Sequence, residues 1–365
     1  MSVTTDRIRF WSYQRQCLGK RGRNPEQVLR GIIGVYSSHP SAPLSLYARV
    51  ESFSEQAFYL LDGKRLAFRI PAMRLSVYMI PADTARFVLA ATVPPASDPT
   101  WEKRYSQKGR FLANEDYKRW KAAILERAGE PLTAKEIREA TGIPDAAVKL
   151  VLNRMAFEGS LLRVGARNLR SNIISYVSTE AWAKNRFPRV ENTKALQWLA
   201  GEYLRVFGPV RIKDFQWWAG ISAGQAKAAL SAHETVTVEN GALLAAADLW
   251  EFESLKKPAG DSLDILPQWD CYTMGYAPDG RERFVSADMQ HNIYGSLGAT
   301  GGNALGTVLV NGAAHGSWNS RFEGNRMKVS LNMFEKPSGK LRAAIVERFS
   351  ELALWLKAKD IVLEE

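Results

Sequence analysis

Cysteine and histidine are scarce in this chain of 365 residues, which carries two cysteines and four histidines. Cys17 and Cys271 stand far apart, with neither a second Cys nor a His at ligand spacing. That excludes a zinc-ribbon type of site and a disulfide framework, and both are expected to be buried thiols. The glycine-rich run GSLGATGGNALG lacks the Gly-x-x-x-x-Gly-Lys-Ser/Thr spacing of a phosphate-binding loop and reads as a hairpin tip that could enter a DNA groove. Neither a metal nor a small-molecule cofactor is expected. Long apolar runs are missing too. No stretch of about 18 apolar residues occurs, and MSVTTDRIRFWSYQRQ has no signal-peptide core, so no membrane span is expected and the cytoplasm is the expected location.

Acidic residues are also in deficit, 38 against 49 basic ones, for a net charge of +11 and a pI near 9.6. Such an excess points to a polyanionic partner, and double-stranded DNA is the expected one, bound by a monomer. The excess is clustered. Residues 7–30 hold seven Arg or Lys, among them Arg21 and Arg23, against Glu26 alone; residues 160–189 hold six against Glu180. A hydrophobic content of 46% on a chain this long implies several packed units.

Helical and strand signals recur in one order. Apolar helical spacing runs over residues 6–19, 25–50 and 54–61, and RLAFRIPAMRLSVYMIP then alternates like two strands. Next, Thr133-Ala-Lys-Glu136 is a capping box, Gly142 a stop, and Pro144-Asp145 opens a further helix. There Val148, Val151, Leu152 and Met155 form an apolar stripe, and Lys149, Asn153 and Arg154 are expected to face outward as on a recognition helix, with Arg163, Arg167 and Arg170 on a following wing. A third copy spans residues 193–246 and contains Trp217-Trp218, read as core. Short strands between Gly-rich turns from Trp269 to Val329 suggest a small barrel, and Leu341–Lys357 a terminal amphipathic helix. The expected fold is therefore α+β: a first winged helix over 1–100, a second, DNA-binding one over 101–190, a third over 191–250, and a C-terminal β-barrel with a closing helix over 262–365.

The polar turn Tyr36-Ser37-Ser38-His39-Pro40 interrupts an apolar helical stretch, and loops held between rigid elements are where function concentrates. The whole chain resembles the winged-helix family that includes the AlkZ/YcaQ-type DNA glycosylases. GIIGVYSSHPSAPLSLYARV is similar to that family's segment "Gln-x-Gln-Asp-Pro … Arg", PAMRLSVYMIP to its "Met-Arg-Gly-Thr" strand, and GPVRIKDFQWWAGIS to its third winged helix. LPQWDCYTMGY and TVLVNGAAHGSW resemble its C-terminal signatures, "Leu-Pro-x-Trp-Asp-x-Tyr" and "Val-Asp-Gly-x-x-x-Gly-x-Trp".

The resemblance implies hydrolysis of the N-glycosidic bond of a bulky modified base, alkylated, crosslinked or of the hypermodified kind found in phage DNA, to leave an abasic site. Base-excision repair or phage defence would be the setting. The family's two glutamines fall on Tyr36 and Ser38, and its Asp on His39. Expected roles are Tyr36 and Ser38 orienting water and sugar, His39 as acid or base, and Asp270 as a charge-stabilising carboxylate. Arg21, Arg23, Arg74, Lys149, Asn153, Arg154, Arg163 and Arg167 are expected to contact DNA. The alternatives are a non-catalytic winged-helix DNA-binding protein and a transcription regulator.

Overall fold

The computed structural model describes residues 3–38, 40–105, 112–165, 168–171, 173–184, 187–238, 241–256, 261–295 and 303–364. His39, Arg167 and most of the GSLGATGG run lie outside them.

Two sheets organise the molecule. The first has six strands: β1 (Val35–Tyr36), β2 (Ala67–Pro71), β3 (Val77–Pro81), β4 (Leu132–Thr133), β5 (Leu161–Gly165) and β6 (Ile174–Ser178), in the order β1-β3-β2-β5-β6-β4. The hairpin β2–β3 and the wing β5–β6 were expected in separate domains. They join edge to edge through the single register pair Arg69↔Arg163, so one sheet runs across the expected boundary near residue 100. A two-stranded hairpin, β7 (Thr235–Thr237) and β8 (Leu243–Ala245), follows the helices Asn192–Phe207, Ile212–Ala219 and Ala223–Leu230.

The local signals map onto helices as their chemistry dictates. Thr133 Oγ1 accepts from the Glu136 amide at 3.3 Å, while the Glu136 carboxylate accepts from the Thr133 amide at 2.7 Å. Gly142 ends that helix in the left-handed region at φ 68°. Helix Asp145–Phe157 buries the stripe Val148, Val151, Leu152 and Met155. Its polar side differs from expectation. Lys149 is exposed, but Arg154 is drawn inward between Glu158, at 3.1 Å, and the Tyr117 ring, at 3.9 Å. Glu158 is the i+4 partner at the end of the same helix, whereas Tyr117 comes from helix Asn114–Arg127, which local spacing does not reveal.

The expected C-terminal barrel is instead an open sheet. β9 (Leu263–Leu266), β10 (Gly306–Val310), β11 (Ala313–Glu323), β12 (Arg326–Met333) and β13 (Asp360–Glu364) lie in the order β13-β12-β11-β10-β9, with β13 parallel to β12 and no pairing of β13 with β9 among the described residues. The physical reason is the helix Gly339–Trp355. Its Ile345, Phe349 and Leu352 pack with Val308, Trp318 and Val329 in one core, Phe349 meeting Trp318 edge-on at 5.2 Å. The apolar face is thus covered by a helix and need not curl on itself. That helix does not close the chain, since β13 follows it.

Candidate active site

The first polar turn hangs on β3. Val35 and Tyr36 pair with Met79 and Tyr78, and strand alternation sends Val35 into the core and the Tyr36 ring the other way. Gly34 permits the approach, because a Cβ there would stand 2.6 Å from the Met79 carbonyl oxygen. The next two residues are held by polar bonds. The Ser37 amide donates to the Val77 carbonyl at 2.7 Å, and the Val77 amide donates to Ser38 Oγ at 3.3 Å. Ser37 Oγ accepts from Arg69 Nε at 2.9 Å, and the Arg69 guanidinium is clamped by both oxygens of Asp62. Close by, a Cβ on Gly165 would meet the same guanidinium at 2.6 Å, so the wing strand β5 seals Arg69 from above.

On the Tyr36 side a cavity of about 400 Å³ opens. Tyr36, Tyr78, Trp217 and Trp269 supply aromatic walls, and Arg74, Ser76 and Met274 complete them. The Tyr36 ring lies 5.1 Å from Trp269 and 5.9 Å, edge-on, from Tyr78. Three distant parts of the chain meet here. Arg74 and Leu75 sit in the turn between β2 and β3 with φ of 53° and 59°, a left-handed conformation that turns the arginine toward the helix Ile212–Ala219. That helix ends on Gly220 at φ 75°, whose missing Cβ would stand 3.1 Å from Arg74 Cα. The close approach lays the guanidinium 4.0 Å from the Trp217 ring centroid. Arg74 Nε is buried without a hydrogen-bond partner among the described residues.

Burial pushes the Tyr78 phenol up to about 12, and the neighbouring Arg74 partly counters it. An unfolded tyrosine ionises near 10, so between pH 10 and 12 the unfolded chain loses its proton first and stability falls as pH rises. Other buried tyrosines, Tyr272 and Tyr294 among them, shift the same way, so Tyr78→Phe is expected to make that part of the stability profile less steep without abolishing the slope, read from urea midpoints between pH 9 and about 12.

Asp270, next to Trp269 in sequence, does not face the cavity. Its carboxylate is fully buried and accepts from Arg49 at 2.8 and 2.6 Å, from Ser45 Oγ at 2.8 Å and from the Tyr272 amide at 2.9 Å. The expectation of a carboxylate open to the reaction is corrected accordingly: its oxygens are engaged inside the protein. The pair instead fastens the helix Ser41–Tyr47 and its end to the segment that carries Trp269, which itself holds φ 59°.

The expected DNA contacts are not gathered in one place. Lys149 is exposed and Arg74 lines the cavity. Arg163 is only 5% exposed and donates to Asn153 Oδ1 at 3.1 Å, which ties wing to helix and corrects the expectation of a free wing arginine. Arg21 lines a separate surface cleft with Glu347 and Glu351, and Arg23 pairs with Glu51 at 3.4 Å. Sequence reasoning read Trp217 as core and gave no site role to Trp269, Tyr78, Ser37 or Arg69. The adjacent Trp217-Trp218 pair was the available signal: two neighbours on a helix cannot share a face, and while Trp218 is core, Trp217 faces the cavity. Of the cysteines, Cys271 is buried and Cys17 half-buried.

Residues 34–355 match the AlkZ-like DNA glycosylase family. The chain belongs to that family. An AlkZ-like glycosylase is a hydrolase acting on N-glycosyl bonds, and its substrate is DNA. Among solved structures the chain is similar to Streptomyces sahachiroi DNA glycosylase AlkZ, with a TM-score of 0.75, 17% identity and complete coverage of both chains. No curated protein matches. Among the described residues no helix is long and apolar enough to cross a membrane.

Proposed function

We propose that this AlkZ-like glycosylase extrudes a bulky modified nucleotide from duplex DNA into the aromatic cavity and cleaves its N-glycosidic bond beside the turn of residues 36–39. The observation that carries the reading is the junction of a cavity large enough for an enlarged base, about 400 Å³, with a polar turn pinned to β3 by Ser37 and Ser38. Extrusion is the only way a duplex base reaches such a pocket, and stacking on aromatic walls offsets its unstacking. In this reading Tyr36 and Ser38 orient sugar and water and His39 moves the proton. Asp270 acts at one remove, by holding Trp269 through Arg49. Alkylation damage, crosslinks and hypermodified phage bases all satisfy the size requirement.

Base release from duplexes carrying each of these lesions, scored by alkali cleavage at the abasic product, tests the proposal. Failure to release any member, with binding intact, would favour the second reading, a non-catalytic DNA-binding scaffold. One observation supports that reading: Ser38 Oγ already accepts from the Val77 amide. A transcription regulator stands behind both.

Lys149, Arg74, Arg21, Arg23 and Arg167 are the candidate phosphate contacts, used by a monomer. Phosphate contacts release condensed counterions, each adding about 0.9 to the slope of log affinity against log salt. Binding to a 20-mer duplex is expected to weaken steeply between 50 and 200 mM salt, and Lys149→Ala to reduce the slope by about one. Fluorescence anisotropy at four salt concentrations checks both.

A further inference from the structure

Tyr203, Tyr272, Tyr276 and Tyr294 are fully buried, and each gives its hydroxyl proton to a backbone carbonyl. The acceptors are Gly275 at 2.7 Å, Gly312 at 2.9 Å, Phe207 at 2.8 Å and Thr273 at 2.8 Å. That is the rule for interior hydroxyls, because a buried donor left unpaired forfeits the hydrogen bond it made to water. Tyr78 departs from it. The residue is only 4% exposed, yet no group among the described residues accepts its proton. Its one polar neighbour is the Arg74 guanidinium, which bonds to the phenol oxygen. A guanidinium can only donate, so the Tyr78 hydrogen is left over.

Strand pairing places this spare donor on the cavity wall. Tyr36 and Tyr78 are register partners on β1 and β3, so both rings stand on one face of the sheet, 5.9 Å apart and edge-on. Ser76, two positions before Tyr78, stands on the same face, and all three line the cavity. The aromatic walls supply stacking, which any flat ring satisfies. A directed hydroxyl adds a requirement that shape does not: an acceptor atom on the guest.

We propose that Tyr78 is a specificity-determining residue whose hydroxyl donates a hydrogen bond to a ring nitrogen or carbonyl oxygen of the extruded base, so that the cavity favours bases with an acceptor on that edge over flat rings without one. The proposal rests on the base-excision reading above and deepens it. Tyr78 keeps its proton throughout. Its part is to hold the base, while water and the polar turn carry the proton transfer.

The test uses the full chain and duplexes of one sequence with one variable nucleotide, none of which can be hydrolysed. One guest is 1,N6-ethenoadenine on 2′-fluoroarabinose, a large flat base with ring-nitrogen acceptors. The other is pyrene joined to deoxyribose through carbon, a large flat ring with neither nitrogen nor oxygen. Wild type is expected to bind both about tenfold or more tighter than the unmodified duplex, through stacking. Tyr78→Phe keeps the ring and removes the hydroxyl. It is expected to weaken the ethenoadenine duplex about three- to tenfold and to leave the pyrene duplex unchanged. Because the lost hydroxyl serves no acceptor within the protein, the urea midpoint of Tyr78→Phe at pH 7 is expected to match wild type, which verifies that the variant is folded. A Tyr78→Phe variant that weakens both guests equally, or neither, overturns the proposal, and so does a wild-type chain that binds neither guest tighter than the unmodified duplex. Hydrolysis plays no part in these readouts, so absence of base release from cleavable duplexes alongside the expected pattern counts against the base-excision reading alone.

Discussion

Asp270→Asn is expected to lower stability by about 3–5 kcal/mol, because it leaves the Arg49 charge buried without its counterion. The arginine has no route to water. It is fully buried, and its other donors are fixed by the carbonyls of Gln16 at 2.8 Å and Ser45 at 2.9 Å. Burial alone would lower its pKa, but the adjoining Asp270 charge outweighs that and raises it. The measurement is the urea midpoint of Asp270→Asn, Arg49→Met and the double variant Arg49→Met/Asp270→Leu. Since removing both charges avoids the desolvation penalty of either, the double variant is expected to regain most of the loss. A catalytic carboxylate would behave oppositely, with activity lost and midpoint unchanged.

Arg69→Met is expected to cut base release by about a hundredfold, since it frees the turn whose placement sets the reacting geometry, and to cost about 3 kcal/mol of stability through the stranded Asp62. The two effects have different atoms behind them. Asp62 holds the end of the guanidinium, whereas Nε alone reaches Ser37. Arg69→Lys keeps a charge near Asp62 and has no Nε–H, so it is expected to recover stability without recovering release. Urea midpoints and single-turnover base release separate the two, and parallel recovery of both would show that Ser37 plays no part.

These two residues also show what the sequence could and could not convey. Local signals were legible: the Thr133 capping box, the Gly142 stop and the stripe on helix Asp145–Phe157 depend on neighbours within four positions. The polar turn could be read as a junction, and the strands on either side of Met73–Leu75 showed themselves by alternation. Long-range pairings left no such trace. Arg49 and Asp270 are 221 positions apart, and nothing near either names the other. The single pair Arg69↔Arg163 fuses two expected domains into one sheet, yet two arginines side by side would be expected to repel; Asp62 and Ser37 on Arg69, and Asn153 and Tyr176 on Arg163, make the pairing tolerable. Alternation likewise fixes which face of the C-terminal strands is apolar, but not whether a helix or a closed barrel covers it.

Single-turnover base release from duplex DNA bearing the substrate found in the lesion panel, compared between wild type and a Ser38→Ala/His39→Ala variant that still binds the duplex, tests the central claim most directly. The account predicts abasic product from the wild-type chain and a loss of about a hundredfold or more in the variant. Equal release by both proteins would contradict it, because the chemistry would then reside outside the turn.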